Sequence, residues 1–154
     1  MNDPQPMYDL TRDQLTSQMS SVDSLDAKLG LFLAVGSGLV SIVAAVVALR
    51  PSTHPNLWPL VLCAIPYVLL AGVTLFGLRP RKWGKGPKAS DVAKGYNRTS
   101  LHVIKENMAV KFHKDFESNK AAYGQKVWAA EWGLRLLIVE TLVLVVGLWL
   151  VARV

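Results

Sequence analysis

Glu140 stands out for chemistry because it is an acid inside an apolar run, residues 136–152, that holds no other charge. A carboxylate in such surroundings is costly unless it faces a partner group or water. Gly133, Glu140 and Gly147 are separated by sevens, and the same seam carries Lys126 and Asn119 upstream. A seam of that period can face a partner helix along its whole length. In an oligomer it would set a ring of carboxylates in a pore, the arrangement that passes cations. Within one chain the same carboxyl would hydrogen-bond to Ser37 or Ser41 of an earlier apolar segment, snorkel toward the membrane surface, or simply be protonated in lipid.

Other constellations are thin. His102 and His113 share a helical face but lie three turns apart, too far to share a metal, and His54 is in a separate segment. Cys63 is the only cysteine, which excludes an intrachain disulfide and a cysteine-based metal cluster. There is no glycine-rich phosphate loop and no nucleophile–base pair at informative spacing. We therefore expect neither an enzyme nor a bound cofactor or metal. Basic residues are the remaining resource. Arg98, Lys105, Lys111 and Lys126, with Asn119 among them, could take an anionic ligand such as a nucleotide, with Tyr96, Phe112 and Tyr123 nearby for stacking. The alternative is an ordinary solvated helix face.

The elements that must position these residues are three apolar blocks. Residues 29–49 and 57–78 contain no charge, and at 21 and 22 residues each can cross a hydrocarbon core of ~30 Å as a helix. The third block spans if Leu134 and Arg135 are counted as its interfacial start. The fold expected is an all-α membrane protein with three transmembrane helices. Its segments are a tail and amphipathic helix at 1–28, a hairpin at 29–78, a basic segment at 79–133 and a third span at 134–154. Residues 79–135 hold 13 of the 17 Lys and Arg and only five acids. With three spans, that segment and the N-terminal tail share one side and 15 basic residues, against two, Arg50 and Arg153, on the other. The positive-inside rule puts the tail and the basic segment in the cytoplasm and the C-terminus outside. The acidic first 28 residues are the opposite of a cleavable leader's basic start.

Along the chain, residues 1–10 read as disordered and Thr11 to Gln14 as a helix capping box. Leu15, Met19, Val22 and Leu25 then recur at helical spacing toward the first span. In that span Gly30, Ala34, Ser37, Gly38, Ser41 and Ala45 fall on one face, which marks a close helix–helix interface in lipid. Asp26 and Lys28 at the start of the first span, and Glu131 and Arg135 at the start of the third, suggest an interfacial charge network such as Asp26–Arg135, or simple anchors of depth. Pro66 sits inside the second span and favours a kink. Residues 84–87 read as a flexible turn. From Leu101, Ile104, Met108, Phe112, Phe116, Tyr123 and Val127 line one face of a long helix, interrupted by Asn119 and Lys120. Paired with the N-terminal helix, it would build a cytoplasmic helical stalk of roughly 30 residues, on the order of 45 Å.

The segment Ser24 to Leu33, with Asp26 and Lys28 ahead of small and apolar residues, resembles the D-x-K motif of small transmembrane effectors in bacterial anti-phage signalling. These are the Pycsar transmembrane effectors and the related SLATT-type membrane effectors. Asn119 seven residues before Lys126, followed by a final apolar helix, is similar to their late pattern. The resemblance implies a homo-oligomer in the bacterial inner membrane that disrupts the bilayer when a cyclic nucleotide or a cytoplasmic sensor protein triggers it, with no nucleic acid partner. The chain carries no added sensor domain within this pattern, which leaves the trigger open. The other reading is a passive membrane adaptor that tethers a cytoplasmic partner through the stalk helices.

Overall fold

The computed structural model describes residues 4–49, 58–96 and 99–153. These residues form four helices and no strand: α1 (Gln5–Ala48), α2 (Trp58–Leu78), α3 (Ala89–Tyr96) and α4 (Leu101–Arg153). The connection at 50–57 with Arg50 and His54, and the pair 97–98 with Arg98, lie outside the described residues. Helices α1, α2 and α4 are each long and apolar enough to cross a membrane. Their apolar windows are only 11, 28 and 17% buried within the chain. Leu31, Val35, Ile42, Val61, Ile65 and Val145 are exposed on them, an apolar surface too continuous to face water.

The chain divides into two compact units, and both α1 and α4 contribute to each. One comprises Met1–Ser24 and Pro80–Gly124, the other Leu25–Arg79 and Gln125–Val154.

In the first unit α1 begins at Gln5, six residues ahead of the expected cap at Thr11. Pro6 is tolerated there because a first-turn N–H has no helical acceptor to lose. Residues 5–10 are thus helical, and the Thr11 hydroxyl, buried in mid-helix, donates to the Met7 carbonyl at 2.9 Å instead of capping anything. Thr11, Leu15, Gln18 and Val22 form the buried stripe of α1, at four- and three-residue steps. Ile104, Ala109, Asp115 and Asn119 are its buried counterparts on α4. Asn119 therefore belongs to the inner face that it was expected to interrupt. Tyr8 meets Phe112 edge to face at 5.7 Å between ring centres, and Lys105 donates to the Gln5 side chain, which sets α1 and α4 running in the same direction here.

The turn at 84–87 is pinned rather than flexible. Gly84 N–H donates to Asn119 Oδ1 at 2.9 Å, Asn119 Nδ2 donates back to Gly84 O at 3.0 Å, and Gly86 N–H donates to Asp115 Oδ2 at 3.0 Å. Gly86 has φ +86°, a conformation that L side chains rarely adopt, so glycine is required there.

The second unit is a bundle of three helix segments assembled in layers. Leu29, Gly77 and Ala129 meet in one layer; Phe32, Thr74 and Gly133 in the next; Gly36, Leu70 and Glu140 in the third; Val43, Cys63 and Leu144 in the last. Numbers rise together on α1 and α4 and fall on α2, so α2 runs against the other two. A glycine on each helix, Gly36, Gly77 and Gly133, lets the backbones approach. A Cβ at Gly77 would stand 2.7 Å from Leu29 Cδ1 and 2.8 Å from Ala129 Cβ.

Candidate functional site

Around Glu140 the layered bundle departs from apolar packing. The side chain is fully buried, and neither carboxylate oxygen has a hydrogen-bond partner among the described residues. Oε2 stands 2.9 Å from where a Cβ on Gly36 would be, with Leu70 Cδ2 at 2.7 Å and Tyr67 Cδ2 at 3.3 Å from the same point. Gly36 thus creates the space that the carboxyl fills. The expected bond to Ser37 or Ser41 is absent. Ser37 Oγ instead donates to the Leu33 carbonyl at 2.8 Å and shares a 2.9 Å hydrogen bond with the Tyr67 hydroxyl. Ser41 is exposed and bonds the Ser37 carbonyl at 2.8 Å. Both serines donate to the carbonyl four residues back on their own helix, the usual recourse of a hydroxyl side chain in mid-helix.

All five residues of the α4 seam, Asn119, Lys126, Gly133, Glu140 and Gly147, are buried in the single chain. Gly133 and Glu140 face α1 and α2 of their own protomer. The Lys126 ammonium, only 3% exposed, pairs with Asp26, whose side chain is 39% exposed. This corrects the Asp26–Arg135 pairing. The true register between α1 and α4 puts residue 26 opposite 126, nine positions earlier, and Arg135 lies over the Trp132 ring at 5.1 Å instead. Lys28, Glu131 and Arg135 are exposed on the bundle surface. The structure therefore assembles no four-membered charge network but one ion pair, between the two motifs that carried the family resemblance.

The small-residue face of α1 is not where the chain packs. Gly30, Ala34, Gly38 and Ala45 are exposed, and a Cβ at Gly30 or Gly38 would have nothing within 4 Å among the described residues. The inner stripe of α1 is Leu29, Gly36 and Val43, about 160° around the helix from that face. Gly36 was missed because it is one small residue among large ones. The signal that could have found it is its seven-residue spacing from Leu29 and Val43.

Apart from Arg98, outside the described residues, the residues expected to hold an anion have partners within the protein. Lys105 bonds Gln5, Lys111 pairs with Asp115 at 2.7 Å, Asn119 bonds Gly84 twice, and Lys126 pairs with Asp26. Among the described residues no group of three His, Cys, Asp or Glu side chains converges on a metal-sized site. A second feature that the sequence did not reveal lies in the first unit, a groove of about 610 Å³ lined by Leu10, Gln14, Ser17, Phe116, Lys120 and Tyr123 among others.

Fold and site together define an all-helical protein with three helices suited to a membrane and a buried, unpartnered acid in the core they share. No protein family matches the chain, and no curated protein or solved structure does either.

Proposed function

We propose that this chain is an effector of the bacterial inner membrane that oligomerises and permeabilises the bilayer when triggered, in defence against phage by abortive infection. One observation carries the reading: Glu140, an acid at the centre of an apolar bundle, is sealed inside its own protomer with neither oxygen bonded. An intramembrane ionisable group is expensive to keep and is found where it serves transport or gating. In the resting protomer it faces Gly36, Leu70 and Tyr67, where no ion can pass. On activation the three helices re-pack against neighbouring copies, and the carboxylates turn to a shared water-filled path. The exposed small face of α1 is suited to the close approach of a second copy in lipid. The basic first unit lies in the cytoplasm on this reading, with the ends of α1 and α4 acting as the stalk that receives the trigger.

The test is membrane potential in bacteria induced to express the chain, followed with a voltage-sensitive dye. Wild type is expected to depolarise cells, alone or with its trigger, while Glu140→Gln and Gly38→Leu leave potential intact at equal membrane abundance. Depolarisation by both variants as strongly as by wild type would sink the reading.

The apolar groove of the first unit favours a second reading, a membrane adaptor that holds a cytoplasmic partner between α1 and α4. In that case potential holds under all conditions, and substitution of Phe116 or Tyr123 releases the partner.

A further inference from the structure

Counting rise along α4 places Glu140 between two aromatic girdles. Trp132 is eight residues before it and Trp149 nine after, roughly 12 and 13.5 Å at 1.5 Å per residue. Both indoles are exposed, Arg135 lies over the Trp132 ring, and such residues prefer the two membrane–water interfaces. Glu140 therefore falls near mid-depth between them, fully buried and with neither oxygen bonded among the described residues. The groups that could answer its charge are few. From α2 the bundle presents Cys63, a free buried thiol, and Tyr67, whose hydroxyl is shared with Ser37. From α1 it presents Gly36 and Ser37, with Asp26 and Lys28 more than two turns away. On α4 itself Glu131 and Arg135 are exposed, and Lys126 is committed to Asp26. Among the described residues no side-chain cation lies in this layer.

We propose that Glu140 is a binding site for a singly charged cation, a proton or an alkali ion, and that its occupancy keeps α1, α2 and α4 packed. One carboxylate with no second acid beside it supplies a single negative charge, which suits a monovalent ion and not Ca²⁺ or Mg²⁺, whose sites gather several oxygen ligands. The Tyr67 and Ser37 hydroxyls, bonded to each other at 2.9 Å beside Gly36, are neutral oxygens suited to complete its shell. Pro66, which lacks an N–H, leaves the Leu62 carbonyl without its helical donor one turn away on α2. The proposal rests on the helices spanning a bilayer but not on permeabilisation.

The test uses the full chain in phosphatidylcholine–phosphatidylglycerol vesicles treated with the lipid-soluble dicyclohexylcarbodiimide, which reacts with carboxyls in apolar surroundings. The label is located by peptide mapping, so the outcome does not depend on a variant folding. Modification of Glu140 that is lost as pH rises, whether Na⁺ or choline is present, identifies the proton. Modification suppressed by Na⁺ but not by choline at one pH identifies the alkali ion. In detergent, the unfolding midpoint of wild type should shift with whichever ion binds, and that of Glu140→Gln should not. Label confined to surface acids such as Glu131 under every condition, or parallel ion dependence of the two midpoints, overturns the site. Cells that keep their potential under all conditions, trigger included, while Glu140 reacts in vesicles would sink the permeabilising function and leave the site standing.

Discussion

The two units are held together by different chemistry. In the first, side chains reach across to backbone: Asn119 to Gly84, Asp115 to Gly86, and Arg81 to the Ala122 carbonyl at 3.4 Å. In the second, the three helices meet through Gly36, Gly77 and Gly133, and Ser37–Tyr67 is the one hydroxyl pair across them among the described residues. On the proposed reading, with the first unit in water and the second in lipid, the solvent accounts for the difference. A polar clamp is cheap where its alternative partner is solvent and its unused atoms stay wet. Against lipid there is little hydrophobic drive between helices, so close backbone approach and dispersion must supply the attraction. The α4 seam crosses both regimes at one period, with an amide in the first and an ammonium, two glycines and a carboxylate in the second.

The contrast is broken most strongly at Asp26. Asp26→Asn leaves the Lys126 ammonium 97% enclosed and without its counter-charge. Removing one partner of a buried pair costs about 3–5 kcal/mol, and the low end applies here because Asp26 is 39% exposed. Lys126→Met should be much milder, since the remaining Asp26 carboxylate can hydrate. Unfolding midpoints in mixed micelles check the asymmetry, and equal losses would mean that the pair is symmetric in burial. Next in size is Gly77→Ala, whose new methyl meets Leu29 and Ala129, and overpacking of this kind costs about 1–3 kcal/mol. Gly72→Ala on the same helix has nothing within 4 Å and should be neutral or slightly stabilising through helix propensity.

Asn119→Ala should rank third. It removes two neutral hydrogen bonds to Gly84, together worth about 1–3 kcal/mol. Its signature is local: hydrogen exchange at the Gly84 amide should speed up far more than at amides of α2. Unchanged Gly84 protection would mean that the turn is held by other contacts.

Much of this was legible where period alone decides. The seven-residue seam of α4 and the apolar blocks are patterns of spacing, and the helices and buried positions follow them. What failed to read out depended on register between segments far apart in the chain. Asp26 could be set level with Arg135 or with Lys126 on any argument from one helix, because nothing in either segment states the offset. The pinning of Gly84 and Gly86 is of the same kind, since glycine-rich sequence looks flexible until a distant amide and carboxylate bond it. Thr11 shows a third limit: cap chemistry is local, but a helix that has already begun at Gln5 turns the hydroxyl to a mid-helix carbonyl.

The smallest expected effect on the single chain is Gly38→Leu, and it sharpens the contrast within α1 itself. Gly36 and Gly38 are two residues apart, so their Cα–Cβ directions differ by about 200° at 100° per residue. At Gly36 even a methyl would meet Leu70, Tyr67 and Glu140, whereas at Gly38 the space is open. Gly36→Ala should therefore lower the unfolding midpoint of monomeric protein in detergent. Gly38→Leu should leave that midpoint within the ±0.5 kcal/mol typical of surface changes. If the small face packs between copies, Gly38→Leu instead reduces chemical cross-linking of protomers in membranes while the monomer stays folded. A loss of monomer stability equal to that of Gly36→Ala would show that α1 is covered within its own chain on both faces. Unchanged stability with unchanged cross-linking would assign the face to lipid alone.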